Sequence, residues 1–519
     1  MRADATFRVL LLPLFGALAS CGGGGGSGGS GSPMGASGGP SAWQPNVFQP
    51  AANYDDMCVS PRAGTSDRQG TQTDQNNWLR SWTNELYLWY GEVTDRDPSL
   101  YPTDDYFELM KTNALTSSNQ PKDKFHFTYE TDEWIALSQG GVQAGYGAEF
   151  EVLASLPPRR VLVAYTVPGT TAGSQLARGD EILQVDGVDM INGANTATLN
   201  AGLFPAAAGE SHTFVVRNTV GVSRSVTMSS ATITRVPVPI ATTIPTASGP
   251  VGYIQFNEHI ATAEDDLEAA ISSLRNQNVT DLILDLRYNG GGYLDMASEL
   301  SYMIANTTLT TGRTFERIVF NSKYPTRNPV TGETLTPTPF HSTSQGFVGS
   351  PGRQLPTLNL GRVYIISGTG TCSASESIIN SLRGVNIEVY LIGSTTCGKP
   401  YGFYPTDNCG TTYFTIQFRG ENAANFGDYS DGFSPANQAR AGTTVPGCSV
   451  ADDFSQPLGN PAEGRLAAAL AFRASNNQAC PAATGSSDPR VAKASAWRDE
   501  DGLAVSKPAA LMNRIIRRN

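Results

Sequence analysis

The sequence predicts a multidomain α+β protein with an α/β core, and three observations carry that prediction. From residue 250 to about 400, strand-like apolar runs alternate with helical patterns, which calls for helices layered on a sheet. Between about 140 and 240, short β-type runs are separated by glycine and proline. Ahead of both, Trp78, Trp82 and Leu86 recur every four residues, as on one face of a helix. A chain of 519 residues has room for about three such bodies.

At the start, Arg2 and Arg8 precede an apolar run over 9–19, too short to span a bilayer but suited to the apolar region of an export signal. It ends in Leu18-Ala19-Ser20-Cys21, which resembles the lipobox of bacterial lipoproteins. The resemblance implies cleavage before Cys21 and acylation of that cysteine; the alternative is an ordinary signal with a chance cysteine. Residues 22–40 are nearly all glycine and serine, a flexible coil. A signal peptide over 1–20 and a tether over 21–56 are expected. No later stretch of 18 or more apolar residues occurs, so the lipid anchor at Cys21 is the expected membrane contact, on the periplasmic or surface side of a bacterial envelope.

Beyond the tether the expected order is a helical N-terminal domain over 57–138, a small β domain over 139–240, a core over 241–480 and a polar tail over 481–519. In the core, residues 251–256 read as a buried strand. Leu267, Ala270, Ile271 and Leu274 follow on a helix face behind Thr262 as N-cap. Residues 282–286, 363–366 and 389–392 read as further strands, with helices over 294–305 and from about 373 to 382. Residues 306–360, rich in Thr, Pro and Ser, read as a loop-rich insertion. The tail ends in Leu511-Met512-Asn513-Arg514-Ile515-Ile516-Arg517-Arg518, read as a short docking helix.

Composition narrows the function. Lys plus Arg number 36 against 47 Asp plus Glu, a net charge of −11 with no long basic run, which argues against non-specific nucleic-acid binding. An apolar content of 39% excludes wholesale disorder. Six cysteines remain after Cys21, an even number that in an exported chain suggests disulfides; the alternative is free buried thiols. Cys397 and Cys409 bracket an expected hairpin, and Cys448 and Cys480 bracket the last helix, so those pairs are expected. No cysteine pair has zinc spacing, and neither metal nor cofactor is expected.

Three segments carry chemistry. The strand over 363–366 runs into Ser367-Gly368-Thr369-Gly370-Thr371-Cys372-Ser373-Ala374-Ser375-Glu376 at a helix start, where free N–H groups suit an oxyanion. Ser373 is a nucleophile there, or simply an N-cap. Gly398-Lys399 follows the next strand, and a desolvated lysine becomes neutral enough to take the serine proton, although a lone lysine in a turn is ordinarily solvated. Asp285-Leu286-Arg287-Tyr288-Asn289-Gly290-Gly291-Gly292 puts three glycines after a strand, where a backbone N–H can approach a carbonyl closely; it matches no nucleotide-binding glycine motif.

Together these segments resemble the C-terminal-processing (tail-specific) peptidases, whose pattern runs D-L-R-x-N-x-G-G, then S-A-S-E, then G-K. The resemblance implies a crotonase-like α/β core and a serine peptidase using a Ser–Lys dyad. Ser373 would be its nucleophile and Lys399 its base, with the N–H groups of Ala374 and of Gly291 or Gly292 as oxyanion donors. Glu376, at i+3 on the Ser373 face, would orient the dyad. The likeness extends to a PDZ-like domain: Gly145-Tyr146-Gly147-Ala148-Glu149-Phe150 is similar to its carboxylate-binding loop, with Gly145, Gly147 and Phe150 against the substrate terminus. Two departures stand out. Phe403 occupies the place of a glutamine four residues after the lysine, and Cys372 stands where a small residue usually precedes the nucleophile. A second branch uses a histidine from the N-terminal region, for which His126 is the nearest match; His259 and His341 have no motif around them. The expected function is a lipid-tethered envelope endopeptidase acting on proteins or peptides docked by their C-terminus. The alternative is a catalytically silent PDZ-containing binding lipoprotein.

Overall fold

Helix α1 (Gln72–Leu86) starts at a capping box in which Thr71 accepts the Asp74 N–H and Asp74 reaches back to the Thr71 N–H. Its Trp78 and Trp82 stack at 5.1 Å and join Tyr106, Phe107 and Tyr413 in one buried cluster. The structure, a computed structural model, describes residues 43–116, 118–437, 442–481, 504–505 and the backbone of 514–515. The signal, Cys21 and the glycine-serine run therefore lie outside the described residues. The packed body begins inside the stretch read as tether: Ala51 is buried with α1, and the Arg80 guanidinium lies 4.3 Å from the Phe48 ring centroid. Aromatic and apolar residues replace glycine and serine from Trp43 on, which is why packing starts there.

Strand β1 (Phe127–Glu130) pairs with Thr411–Phe414, so the N-terminal helical region lends a strand to the core. Helix α2 (Thr131–Gly140) leads into β2 (Val142–Gly145) and an antiparallel sheet made of β3 (Ala148–Ala154), β4 (Arg160–Thr166), β5 (Glu181–Val185), β6 (Ser211–Arg217) and β7 (Ser223–Ser229). The order is β7-β6-β5-β4-β3, with β3 at one edge. Helix α3 (Thr196–Leu203) covers it through Leu199 and Leu203, in a core with Phe150, Val163 and Phe214. Strand β8 (Ala231–Thr234) returns to pair with β2.

The core sheet follows: β9 (Ile240–Ile244), β10 (Val251–Gln255), α4 (Ala263–Asn276), β11 (Asp281–Asp285), β12 (Gly292–Tyr293), α5 (Leu294–Ile304), β13 (Arg362–Ser367), α6 (Ala374–Gly384), β14 (Glu388–Gly393), β15 (Gly447–Ser449) and α7 (Gly464–Ala474). Its order is β9-β10-β11-β13-β14-β15, parallel from β10 onward. Val363 and Ile365 face a core with α4, α5 and α6, while Tyr364 and Ile366 face the layer that holds Leu466 and Phe472 of α7. Burial on both faces explains why these strands read as unbroken apolar runs. In register, Asp285 is level with Ile366 and Ile366 with Ile392, so the three chemistry-bearing segments leave the same edge of three adjacent strands.

Several expectations change. Cys448 pairs with Cys480 as expected, but Cys397 pairs with Cys372 and Cys409 with Cys58. Cys409 occupies the turn between Thr406–Asn408 and Thr411–Phe414, so it does not close a hairpin with Cys397. Thr262 precedes α4 without making a cap bond. The insertion over 306–360 contains a seven-residue strand, Thr314–Phe320, paired with Phe418–Glu421. In the tail, the described pair Arg514–Ile515 is strand β16 rather than helix, because its main chain finds β12 as a partner. Among the described residues no helix is long and apolar enough to cross a membrane.

Candidate active site

Ser373 sits between β13 and α6 with φ +60° and ψ −114°, a conformation that side chains other than glycine rarely adopt. Its turn is held from several directions. The Cys372 N–H donates to the Asn289 carbonyl at 3.1 Å, the Ser375 hydroxyl to the same carbonyl at 3.0 Å, and the Thr371 hydroxyl to the Leu286 carbonyl at 2.7 Å. The Ser373 hydroxyl is buried and has no hydrogen-bond partner among the described residues, so it does not cap α6. The Ala374 N–H likewise donates to no other described residue.

Glu376, one turn into α6, is the junction of the site. Its Oε2 accepts the Ser373 N–H at 3.0 Å and the Lys399 N–H at 2.7 Å, while Oε1 accepts the Gly398 N–H at 2.9 Å and the Thr396 hydroxyl. Burial pushes this carboxyl above its ordinary range, against donors that pull it back down. Gly398 is required where it stands: its φ is +82°, and a Cβ there would lie 2.2 Å from the Ser430 carbonyl oxygen. The disulfide Cys372–Cys397 joins the same two turns.

Lys399 is completely buried. Its Nζ lies 4.6 Å from the Phe125 ring centroid and 4.4 Å from that of Phe403. Desolvation lowers its pKa to about 7, with Asp123 and Glu376 pulling the other way. The residue that departs from the family pattern, Phe403, thus forms part of the wall that dries the amine.

The glycine turn after β11 is held by Asn289. Its Oδ1 accepts the Gly291 N–H at 2.9 Å and its Nδ2 donates to the Phe256 carbonyl at 2.9 Å. His259 Nδ1 lies 3.0 Å from that Oδ1, and burial lowers the imidazole to about 3, so the ring is neutral and its Nδ1–H donates. Gly292 is needed for close approach, since a Cβ would lie 2.3 Å from the His259 carbonyl oxygen. The structure thus brings Ser373, Ala374, Glu376, Lys399, Gly291 and Gly292 to one edge of the sheet. Reading the sequence assigned no role to Asp123, Phe125, to Asn289 of the glycine motif, or to His259; the first two lie more than 240 residues before the strand turn they serve. His126 is stacked on Phe107 at 3.8 Å, with Nδ1 3.0 Å from the Thr415 hydroxyl and Nε2 2.8 Å from the Phe107 carbonyl.

Gly145 and Phe150 lie elsewhere, lining with Tyr146 and Leu203 a cavity of about 560 Å³. Gly147 adopts φ +80° and packs against Thr170, while Phe150 belongs to edge strand β3.

A parallel sheet thus carries a serine with positive φ, a buried lysine and a glycine turn at its strand ends, and residues 250–403 match the model of peptidase family S41. The chain is similar to a carboxyl-terminal-processing protease of Picosynechococcus sp., 26% identical over 273 residues, 51% of this chain and 56% of that protein. It is also similar to the chloroplastic carboxyl-terminal-processing peptidase 3 of Arabidopsis thaliana, 26% identical over 148 residues, 28% of this chain and 23% of that one. The matched stretches thus span about half or less of these relatives. A solved structure from Bacteroides fragilis NCTC 9343, assigned to the S41 proteases, shares the fold with TM-score 0.55 and 23% identity over 77% of this chain and 97% of that one.

Proposed function

We propose that this chain is a serine endopeptidase with Ser373 as nucleophile and Lys399 as general base. The observation that carries the reading is Glu376, one carboxylate that accepts N–H groups from both Ser373 and Lys399 and so fixes the nucleophile's turn against the base's turn. Neutral Lys399 takes the hydroxyl proton as Ser373 Oγ bonds to the scissile carbonyl carbon. The amine leaves with that proton, and water hydrolyses the ester with Lys399 again as base. The developing oxyanion meets the Ala374 N–H and the glycine turn. There the Gly291 N–H is already given to Asn289, which favours Gly292 as donor. Side chains complete this chemistry, so no cofactor enters it. His126, with both nitrogens engaged, is a packing residue.

The β3–α3 sheet is read as a PDZ-like domain, supported by the edge position of β3 and the cavity at Gly145 and Phe150. A substrate C-terminus adds to β3 as a strand with its carboxylate at the 145–147 loop. Cys21 anchors the chain to the bacterial envelope. The decisive experiment is hydrolysis of an internally quenched peptide by purified Ser373→Ala and Lys399→Ala. Turnover is expected to fall by about 10³-fold or more in each, with circular dichroism retained. Near wild-type turnover in Ser373→Ala would exclude the serine mechanism. Amidating the peptide terminus is expected to raise KM, and Cys21→Ser to release the exported chain from membranes.

A further inference from the structure

We propose that the C-terminal end of this chain is a ligand of its own catalytic cleft, and that substrates compete with it. The proposal rests on reading Ser373 as the nucleophile. Two separate contacts carry it. Strand β16, Arg514–Ile515, pairs in parallel with β12, Gly292 level with Arg514 and Tyr293 with Ile515. One strand spacing is about 4.8 Å, so the tail's main chain lies directly beside the glycine placed at the oxyanion. Further up the tail, the Val505 N–H donates to the Ser155 carbonyl at 3.1 Å, and Val505 is fully buried in the cluster that holds Phe150, Val161 and Phe214. Ser155 directly follows β3, the edge read as the peptide-docking strand. One tail therefore touches both surfaces that an extended substrate needs, by main-chain pairing at β12 and, beside β3, by a main-chain hydrogen bond and the buried Val505 side chain.

Covalent connection makes this competition effective. A segment on the same chain acts at an effective concentration in the millimolar range, so modest affinity keeps it seated against dilute substrate. A substrate segment must displace β16 from β12, and the cost appears in KM rather than in the chemical step.

The test uses the full chain carrying Arg514→Pro and Ile515→Pro together, because proline has no N–H to give and cannot sustain a ladder. In a Ser373→Ala background, amide exchange of a peptide covering Gly292 and Tyr293 is expected to quicken about tenfold when the prolines are added. A synthetic peptide of residues 509–519 at millimolar concentration is expected to restore the slow exchange. With Ser373 present, the prolines are expected to lower KM for a quenched peptide about threefold at unchanged kcat. Unchanged exchange, or unchanged KM in a chain that hydrolyses, overturns the proposal. Altered exchange in a chain that hydrolyses nothing overturns the peptidase reading and leaves the cleft ligand standing.

Discussion

In the proposed mechanism, Lys399 is the residue at which stability and function oppose each other. Its pKa of about 7 against 10.5 for a free lysine means that, between those values, the unfolded chain holds a proton that the folded chain has lost. Stability from this group is therefore lowest at and below about pH 7 and rises toward pH 10.5. At pH 7 burial of the amine costs a few kcal/mol, on the order of 1.4 kcal/mol for each unit of displacement. Lys399→Met is expected to raise the denaturant midpoint at pH 7, to lose that advantage above about pH 10, and to be inactive. In the wild type, kcat/KM for a neutral peptide is expected to climb as pH passes through about 7, where the amine becomes a base. A flat profile between pH 6 and 8 would remove Lys399 as the base. The sequence raised desolvation of this lysine against ordinary solvation, but not which residues dry it. Nothing near Gly398-Lys399 announces burial, because Phe125 comes from the N-terminal region and Phe403 occupies a position where a polar residue is the family habit.

Among elements, α6 shows how a helix start becomes a clamp. The Ser373-Ala374-Ser375-Glu376 spacing also reads as a capping box, and in the structure only the glutamate half is made, which leaves the serine hydroxyl unpartnered. Glu376→Gln keeps the shape but turns one acceptor oxygen into a donor facing other donors. The expected result is a fall in kcat of about 10²-fold with KM little changed and the near-ultraviolet circular dichroism retained. Loss in KM alone would show that the carboxylate serves docking rather than alignment. Gly398→Ala is expected to lower stability by about 1–3 kcal/mol, read by denaturant midpoint, because its backbone is left-handed and its Cβ meets the Ser430 carbonyl. Elements of this kind were legible in sequence wherever periodicity and turn residues agreed, as at β10, β11, β13 and β14. The insertion strand Thr314–Phe320 was not, since its partner Phe418–Glu421 lies about a hundred residues away and the surrounding Thr and Pro mask its alternation.

Across the whole molecule, distant segments are bound to one another. The N-terminal region is tied to the core by β1 and by Cys58–Cys409, a sequence separation of 351 that no local pattern reveals. The second sheet is tied to it by Arg178, whose guanidinium reaches Asp452 at 2.8 Å and the Tyr288 hydroxyl at 2.7 Å, one residue before Asn289. Replacing Cys58 and Cys409 together by serine is expected to cost about 2–4 kcal/mol in chemical denaturation while leaving kcat unchanged, since the bond closes a long loop and joins neither the Ser373 turn nor the Lys399 turn. The bond Cys372–Cys397 is of another kind. One of its ends precedes Ser373 by a single residue and the other precedes Lys399 by two, so it rivets together the very turns that Glu376 aligns. Where thiols are kept reduced this rivet is missing, and the two turns are then joined by Glu376 and by the Cys397 N–H donating to the Thr371 carbonyl at 3.0 Å. In a chain whose other cysteine pairs are replaced by serine, dithiothreitol is expected to depress turnover and reoxidation to restore it. Under the proposed export, the bond would form only once the chain reaches an oxidising compartment, a safety catch released by place rather than by a partner.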